Sequence, residues 1–136
     1  MLPRRGFLGC AICAAGGLAA TAAAAQGSAP AAPGFKRTEL SRLDGPTAGY
    51  VTLVVQIDAQ PHAVIARHTH PGIESGRLET GGGTITVDGQ PTRTLAPGDV
   101  FQVPAGVPHM MTAGAGGMQV ISVYVVERDK PLATPA

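Results

Sequence analysis

The chain has 136 residues, which is enough for one domain and short for two. Its formal net charge is +1, so there is no electrostatic reason to expect a nucleic-acid or anionic-membrane partner. Hydrophobic residues make up 44% of the chain, enough for an apolar core, while aromatics at 4% argue against stacking platforms for bases.

The first 25 residues are predicted to be an export signal and not part of the fold. Arg4-Arg5 is followed by Phe7-Leu8 and then by an uncharged stretch, rich in Ala and Gly, that continues to Ala25. This pattern resembles the twin-arginine signals of bacteria, which a receptor reads as an address. The resemblance implies cleavage after Ala25, export of an already folded chain, and a location in the periplasm or outside the cell.

Three other interpretations of this segment stay open. It is about as long as a membrane-spanning helix, so it could remain as an anchor, although it is only weakly hydrophobic. Cys10 or Cys13 could carry a lipid, although both lie close to the arginines. The arginine pair could also be coincidental, although no acidic residue precedes Glu39. If the signal is cleaved, both cysteines are lost, no membrane span remains, and the mature chain has neither a disulfide nor a thiolate ligand.

The rest of the chain is predicted to be a linker followed by one β-domain. Residues 26–34 are rich in Ala, Pro and Gly and predict a flexible linker before a domain over residues 35–136. Asp88-Gly89 predicts a two-residue hairpin, and Pro97-Gly98 predicts another turn. No stretch of the domain has helical periodicity, which predicts an all-β sandwich or barrel. The runs that favour strands are Tyr50–Ile57, Ala63–His68, Thr84–Val87, Val100–Val103 and Met118–Glu127.

Three histidines and one glutamate are the candidate metal ligands. His68 and His70 are two residues apart, so on a strand their side chains lie on the same face. Pro71-Gly72 then turns the chain, which lets Glu74 point back toward the same centre. His109 begins another predicted strand. Imidazoles together with a carboxylate suit one divalent transition metal (Fe, Mn, Ni, Cu, Co or Zn), and the lack of a thiolate argues against a closed structural zinc site.

These residues lie in two segments that resemble the two motifs of the cupin family. The segment from His68 to Glu74, with Gly81 following, matches His-x-His, three or four residues, Glu, six residues, Gly. The second motif is matched by Gly98, Pro104, Gly106 and His109. The resemblance implies a double-stranded β-helix, which is a jelly-roll barrel, with His68, His70, Glu74 and His109 as metal ligands in its interior.

Two positions depart from the family pattern. His62 stands where the first motif begins with Gly, and Ala113 stands where the second motif ends with Asn. Neither position is a metal ligand in the family. His62 is therefore predicted to be a solvent-exposed turn residue.

Other polar residues near the motifs are weaker candidates for contact with a ligand. Arg67 and Arg77 flank the histidines and could bind a substrate carboxylate, although the strand parity of Arg67 predicts that it faces outward. Met111 shares the parity of His109 and is predicted to line the pocket. Gln102 and Tyr124 are candidates for further polar contacts.

Two functions from different classes fit these features. The first is an exported metal-dependent enzyme, such as a dioxygenase, decarboxylase or isomerase, that acts on a small oxygenated molecule. The second is a non-catalytic cupin that binds or senses a small ligand or a metal. In both cases the partner is a small molecule and not a nucleic acid. Strand edges at Lys36–Leu43 and in the segment that ends at Val126 predict a homodimer.

Overall fold

The computed structural model describes residues 34–136, so the predicted signal and residues 26–33 of the predicted linker lie outside the described residues. The described part is all-β, as the sequence predicts, and it contains no helix that is long and apolar enough to cross a membrane. Its strands are β1 (Phe35–Asp44), β2 (Tyr50–Ala59), β3 (Val64–Thr69), β4 (Gly72–Val87), β5 (Arg93–Leu95), β6 (Val100–Val103), β7 (His109–Glu127) and β8 (Thr134–Pro135).

The long strand β7 pairs with neighbours along both of its edges. Its second half, from Met118 to Glu127, pairs antiparallel with β2, and its first half, from His109 to Thr112, pairs with β3. β4 pairs with nearly the whole of β7 and also with the short strands β5 and β6. The remaining strands complete the order β1-β2-β7-β3-β8. The antiparallel strands enclose one core and form the jelly-roll barrel predicted from the sequence.

Alternation along β2, and along each end of β7, separates an inner from an outer face. Every second residue from Val51 to Ala59 is buried, and the residues between them are partly exposed. In β7 the alternation changes parity between Ala113 and Met118, so that His109 and Met111 lie on the inner face near one end, and Ser122 and Tyr124 on the inner face near the other. Because side chains alternate with a period of two along a strand, these polar residues share the interior with the apolar core.

Two strands are longer than the sequence predicts. β4 begins at Gly72 and not at Thr84, and β7 runs without a break from His109 through the segment that begins at Met118. Clustered glycines hide the strand pattern in both places. In β4 they coincide with shifts in pairing register between Gly81 and Gly83, so the strand continues through an irregularity instead of ending.

Gly81, the closing glycine of the first motif, lets β4 approach β7 closely. Its φ of +77° is left-handed, and a Cβ atom at this position would lie 2.1 Å from the carbonyl oxygen of Gly117. A residue with a side chain would therefore be strained in conformation and would collide with the facing backbone. The glycine of the motif is explained by packing of the two strands and not by contact with the site.

The predicted turns also occur where the sequence places them. A turn forms at Asp88-Gly89, where the amide of Gln90 donates to the carbonyl of Val87 at 3.0 Å. The connection from β4 to β5 is residues 88–92, so it is longer than the predicted two-residue hairpin. His62 is exposed in the turn between β2 and β3, with a φ of 62°, which confirms its interpretation as a turn residue. Ala113 is buried on the inner face of β7.

Candidate metal centre

The four predicted ligands come together inside the barrel. His68 on β3 is the direct cross-strand partner of His109 on β7, His70 follows the end of β3, and Glu74 lies on β4. The Nε2 atoms of His68 and His70 are 3.2 Å apart. Glu74 Oε2 lies 3.1 Å from Nε2 of His70 and 3.2 Å from Nε2 of His109. All four side chains are buried, the most exposed being His68 at 7%.

Each imidazole is oriented by a backbone carbonyl at its Nδ1 atom. A carbonyl oxygen can only accept a hydrogen bond, so in the neutral ring the proton is on Nδ1. The Nε2 atom is then unprotonated, and its lone pair faces the centre of the cluster. The three Nδ1–O distances are 2.7 Å from His68 to Ala66, 2.5 Å from His70 to Leu132, and 3.1 Å from His109 to Val107.

This donor set fits a divalent transition metal. Nε2 of His109 is buried and has no hydrogen-bond partner among the described residues. It lies 3.2 Å from Glu74 Oε2, but two unprotonated acceptors at this distance do not form a hydrogen bond. Ligand nitrogens of all three histidines lie within 4.8 Å of one another. Several lone pairs that face one another without protons are stabilised by a cation between them, and imidazole with carboxylate suits such a metal.

Two hydroxyl groups of β7 hold the other oxygen of Glu74. Ser122 Oγ donates to Oε1 at 2.7 Å and Tyr124 OH donates to the same atom at 2.9 Å. Glu74 and Tyr124 are direct cross-strand partners, which explains why the phenol reaches the carboxylate. Oε1 is therefore fully engaged, and Oε2 is left to face the histidines.

The ionisation of the cluster agrees with a ligand role. Burial opposes ionisation of Glu74, but in the absence of a metal the His109 and His70 rings, where they carry a proton on Nε2, and the Ser122 hydroxyl hold the pKa of this carboxyl well below its usual range. Burial lowers the pKa of His68 to about 4, so this imidazole is neutral at neutral pH. Burial and the nearby Glu74 carboxylate raise the pKa of Tyr124 well above its usual value, which keeps its hydroxyl as a donor.

The segment that follows β7 supports His70 from outside the barrel wall. The Leu132 carbonyl accepts from the His70 ring, and β8 pairs with the end of β3, so that Thr134 lies opposite Thr69. A hydrogen bond from the amide of Ala136 to the carbonyl of Arg67, at 3.2 Å, extends this pairing. Groups that orient a ligand through its second nitrogen are an ordinary part of metal sites.

The space beside the cluster is small. The cavity has a volume of about 10 Å³, which is roughly the room that one water molecule needs. Its walls are His68, Glu74, His109, Tyr124, Ile57, Ile65, Met111 and Arg37. Two larger hollows, of about 500 and 430 Å³, lie on the barrel surface, and the second has His70 in its lining. The larger has none of the four cluster residues in its lining, so volume alone does not locate the chemistry.

Of the other polar and pocket residues predicted from the sequence, some line the cavity and others lie on the outer surface of the barrel. Met111 lines the cavity, as predicted, and Tyr124 makes a polar contact with Glu74. Arg67 faces outward, as predicted, and pairs with Asp88. Two further candidates do not reach the cavity. Arg77 is exposed and pairs with Glu79, and Gln102 is exposed and donates to Ser75.

Sequence reasoning missed three groups that contribute to the site. Ser122 has the same strand parity as Tyr124, and this parity is a signal that could have found it. The Leu132 carbonyl and the Arg37 side chain gave no signal, because both reach the cluster through tertiary packing of segments far from the motifs.

Comparisons with known proteins agree with this architecture. Residues 55–124, just over half of the chain, match the family model described as a cupin domain. A comparison with curated protein sequences finds no match.

Solved structures with the same fold include proteins of several kinds. KdgF from Halomonas sp. is 25% identical with a TM-score of 0.59, and the match covers 72% of this chain and 85% of KdgF. The DMSP lyase DddQ from Ruegeria pomeroyi is 21% identical with a TM-score of 0.63, over 76% of this chain and 52% of the lyase. Salicylate 1,2-dioxygenase from Pseudoaminobacter salicylatoxidans is 22% identical with a TM-score of 0.57, over 71% of this chain and 26% of the dioxygenase. At these identities the lyase and the dioxygenase show the fold alone.

Proposed function

Because the chain belongs to the cupin family, we propose that it is a metal-dependent enzyme acting on a small oxygenated molecule. One divalent transition metal (Fe, Mn, Ni, Cu, Co or Zn) is held by His68, His70, Glu74 and His109. The observation that carries the proposal is the convergence of three imidazole Nε2 atoms and one carboxylate oxygen on a buried centre. Each of these groups is oriented from behind by a hydrogen bond.

The reaction class that fits this site is dioxygenation, decarboxylation or isomerisation. When bound, the metal supplies a Lewis acid with positions left open by the four protein ligands. The protein's own residues orient the ligands and keep water out. Ile57, Ile65 and Met111 give the cavity an apolar wall. Among the described residues that line it, the one polar side chain besides Arg37 and the ligands is the protonated Tyr124. A lyase and a dioxygenase are among the proteins that share this fold, so the fold is compatible with chemistry on a small molecule.

A non-catalytic cupin that binds or senses a metal or a small ligand is the second candidate. The observation that favours it is the cavity volume of about 10 Å³, which leaves no room for an organic substrate unless a side chain moves. A metal-storage or sensing protein needs no such room.

Turnover separates the two functions. Protein loaded in turn with Fe²⁺, Mn²⁺, Ni²⁺, Cu²⁺, Co²⁺ and Zn²⁺ is incubated with pooled small acids and phenolics under O₂. Oxygen consumption, the masses of the pool members and their chromatographic retention are followed, with metal-free protein as the control. A dioxygenase or decarboxylase produces a new mass in a metal-dependent way, and an isomerase produces a new chromatographic peak of unchanged mass. Saturable binding with neither a new mass nor a new peak supports the binding protein instead.

We also propose export by the twin-arginine route into the periplasm or beyond the cell. This proposal rests on the resemblance of residues 1–25 to such signals, and these residues lie outside the described part of the chain.

We propose in addition that the protein is a homodimer through β1. Within the described residues β1 pairs only with β2, so its outer edge has no partner strand there, and Leu40 and Leu43 are 52% and 70% exposed. An unpaired strand edge with exposed leucines is suited to pairing with a second copy. Light scattering at micromolar concentration is expected to give twice the mass of one chain. Leu43→Lys is expected to shift the protein to monomer, and a monomeric wild-type protein contradicts the proposal.

A further inference from the structure

Arg37 points into the barrel from the edge strand. In the pairing of β1 with β2, Arg37 lies directly opposite Ile57, and opposed residues of an antiparallel pair place their side chains on the same face. Ile57 is buried and lines the cavity beside the metal cluster. Arg37 lines the same cavity, so its guanidinium lies near the cluster although it is 31 positions before His68 in the sequence.

Arg37 also forms the mouth of this cavity. The other residues of its lining are buried, with at most 7% of their surface exposed, whereas Arg37 is partly exposed. A ligand that enters from solvent on this side therefore meets the arginine before it meets the histidines. The chain places one positive charge between solvent and the cluster.

The guanidinium of Arg37 has no polar partner in the described part of the chain. Its Nε atom is buried and makes no hydrogen bond, and its Cζ atom lies 5.0 Å from the centre of the Phe35 ring. Every other arginine between residues 34 and 136 pairs with a carboxylate or a carbonyl: Arg42 with Glu39, Arg67 with Asp88, Arg77 with Glu79, Arg93 with Val100, and Arg128 with Asp44. Nε of Arg128 is also buried without a partner, but the guanidinium of Arg128 pairs with Asp44, whereas no described residue accepts a hydrogen bond from Arg37. A buried donor without an acceptor is costly, so its persistence at a cavity mouth points to an acceptor supplied by a ligand.

Charge identifies the kind of acceptor. The Glu74 carboxylate offsets one of the two charges of a divalent metal, and Arg37 adds another positive charge, so the loaded site carries a net excess of positive charge. Resting on the proposed metal site, we propose that Arg37 is a substrate-binding residue that pairs with the carboxylate of a small anionic ligand. The fork of N–H groups on a guanidinium matches the two oxygens of a carboxylate.

Because the cavity is small, the Arg37 side chain also controls entry of a ligand. A volume of about 10 Å³ admits one water molecule and no carboxylic acid. The buried walls are packed side chains of the barrel, whereas the arginine is long, partly exposed and without a polar partner among residues 34–136. Entry of a ligand therefore requires the Arg37 side chain to swing outward, and the ligand carboxylate holds it in the new position.

The test is binding of acetate to Co²⁺-loaded protein, followed through the visible absorption of the cobalt. Acetamide, a neutral molecule of nearly the same shape, is titrated in parallel. Arg37→Gln is expected to weaken acetate binding by about tenfold or more, the loss expected for a hydrogen bond to a charged group, and to leave acetamide binding unchanged. Arg37→Lys is expected to recover part of the affinity. Arg42→Gln removes an exposed arginine of the same strand and is expected to change nothing.

Cobalt content and the unfolding midpoint are measured for every variant. These measurements separate a failure of the proposed role of Arg37 from a failure of the proposed metal site. Equal acetate affinity in wild-type and Arg37→Gln proteins that both hold cobalt overturns the role of Arg37 and leaves the metal site intact. Equal binding of acetate and acetamide by the wild-type protein also overturns it. A wild-type protein that takes up no metal overturns the proposed function, and the role of Arg37 with it.

Discussion

Replacing His70 with alanine is expected to lower the metal content of the purified, reconstituted protein from about one equivalent to less than about a tenth of an equivalent. The substitution removes one of the converging Nε2 lone pairs and leaves the Leu132 carbonyl without its donor. Because the metal is proposed to carry the chemistry, any turnover should fall with it. Metal content is measured by elemental analysis, and far-ultraviolet circular dichroism shows whether the barrel has folded.

The chain offers a matched control in another histidine. His62→Asn changes an exposed turn residue with a positive φ, a conformation that asparagine tolerates, so metal content and stability should stay at the wild-type level. A folded His70→Ala protein that keeps a full equivalent of metal contradicts the assigned ligand set. One that loses its metal but keeps wild-type turnover contradicts the metal-dependent enzyme.

Replacing Glu74 with glutamine is expected to separate metal binding from folding. Metal affinity should fall by more than about 100-fold, which exceeds the usual cost of losing an outer-sphere partner. The free energy of unfolding of the metal-free variant should stay within about 1 kcal/mol of that of the metal-free wild-type protein, because a glutamine amide can replace the hydrogen bonds of the Glu74 carboxylate. The amide oxygen still accepts from Ser122 and Tyr124, and the amide N–H groups can donate to the lone pairs of His70 and His109.

Competition with a chelator gives the affinity, and urea unfolding after metal removal gives the stability. Glu79→Gln is the control, because Glu79 pairs with Arg77 on the outer face, and it should alter neither quantity appreciably. If Glu74→Gln binds metal as tightly as the wild-type protein, Glu74 is not a ligand. If it destabilises the metal-free barrel strongly, the carboxylate is a structural group whose charge the fold requires.

The fold was predictable because the relevant signals are local. The β-branched alternation from Tyr50 to Ile57 and the Asp88-Gly89 turn depend only on neighbouring residues, and both features occur in the structure. The prediction was incomplete at Gly81 and at the glycines from Gly114 onward. There the strands continue because the paired backbones come close together, and only the facing strand reveals that contact.

The cluster was predictable for a different reason. Fixed spacing within the motifs and strand parity place His68, His70, Glu74 and His109 on inner faces. The pairing of β3 with β7 then brings His109 directly opposite His68. Whether a metal binds there stays a prediction that the experiments above test. Arg37 could not be predicted, because its approach depends on the register of β1 against β2 and on a side chain that crosses the mouth of the cavity.

The depth at which the four ligands lie has a kinetic consequence. A metal held by side chains that are at least 93% buried, beside a cavity with room for about one water molecule, can leave only when the barrel opens or Arg37 moves aside. Exchange with free ions should therefore be slow compared with uptake during folding. In that case the metal found in the protein reflects the ions available in the compartment where the chain folds, more than the order of intrinsic affinities.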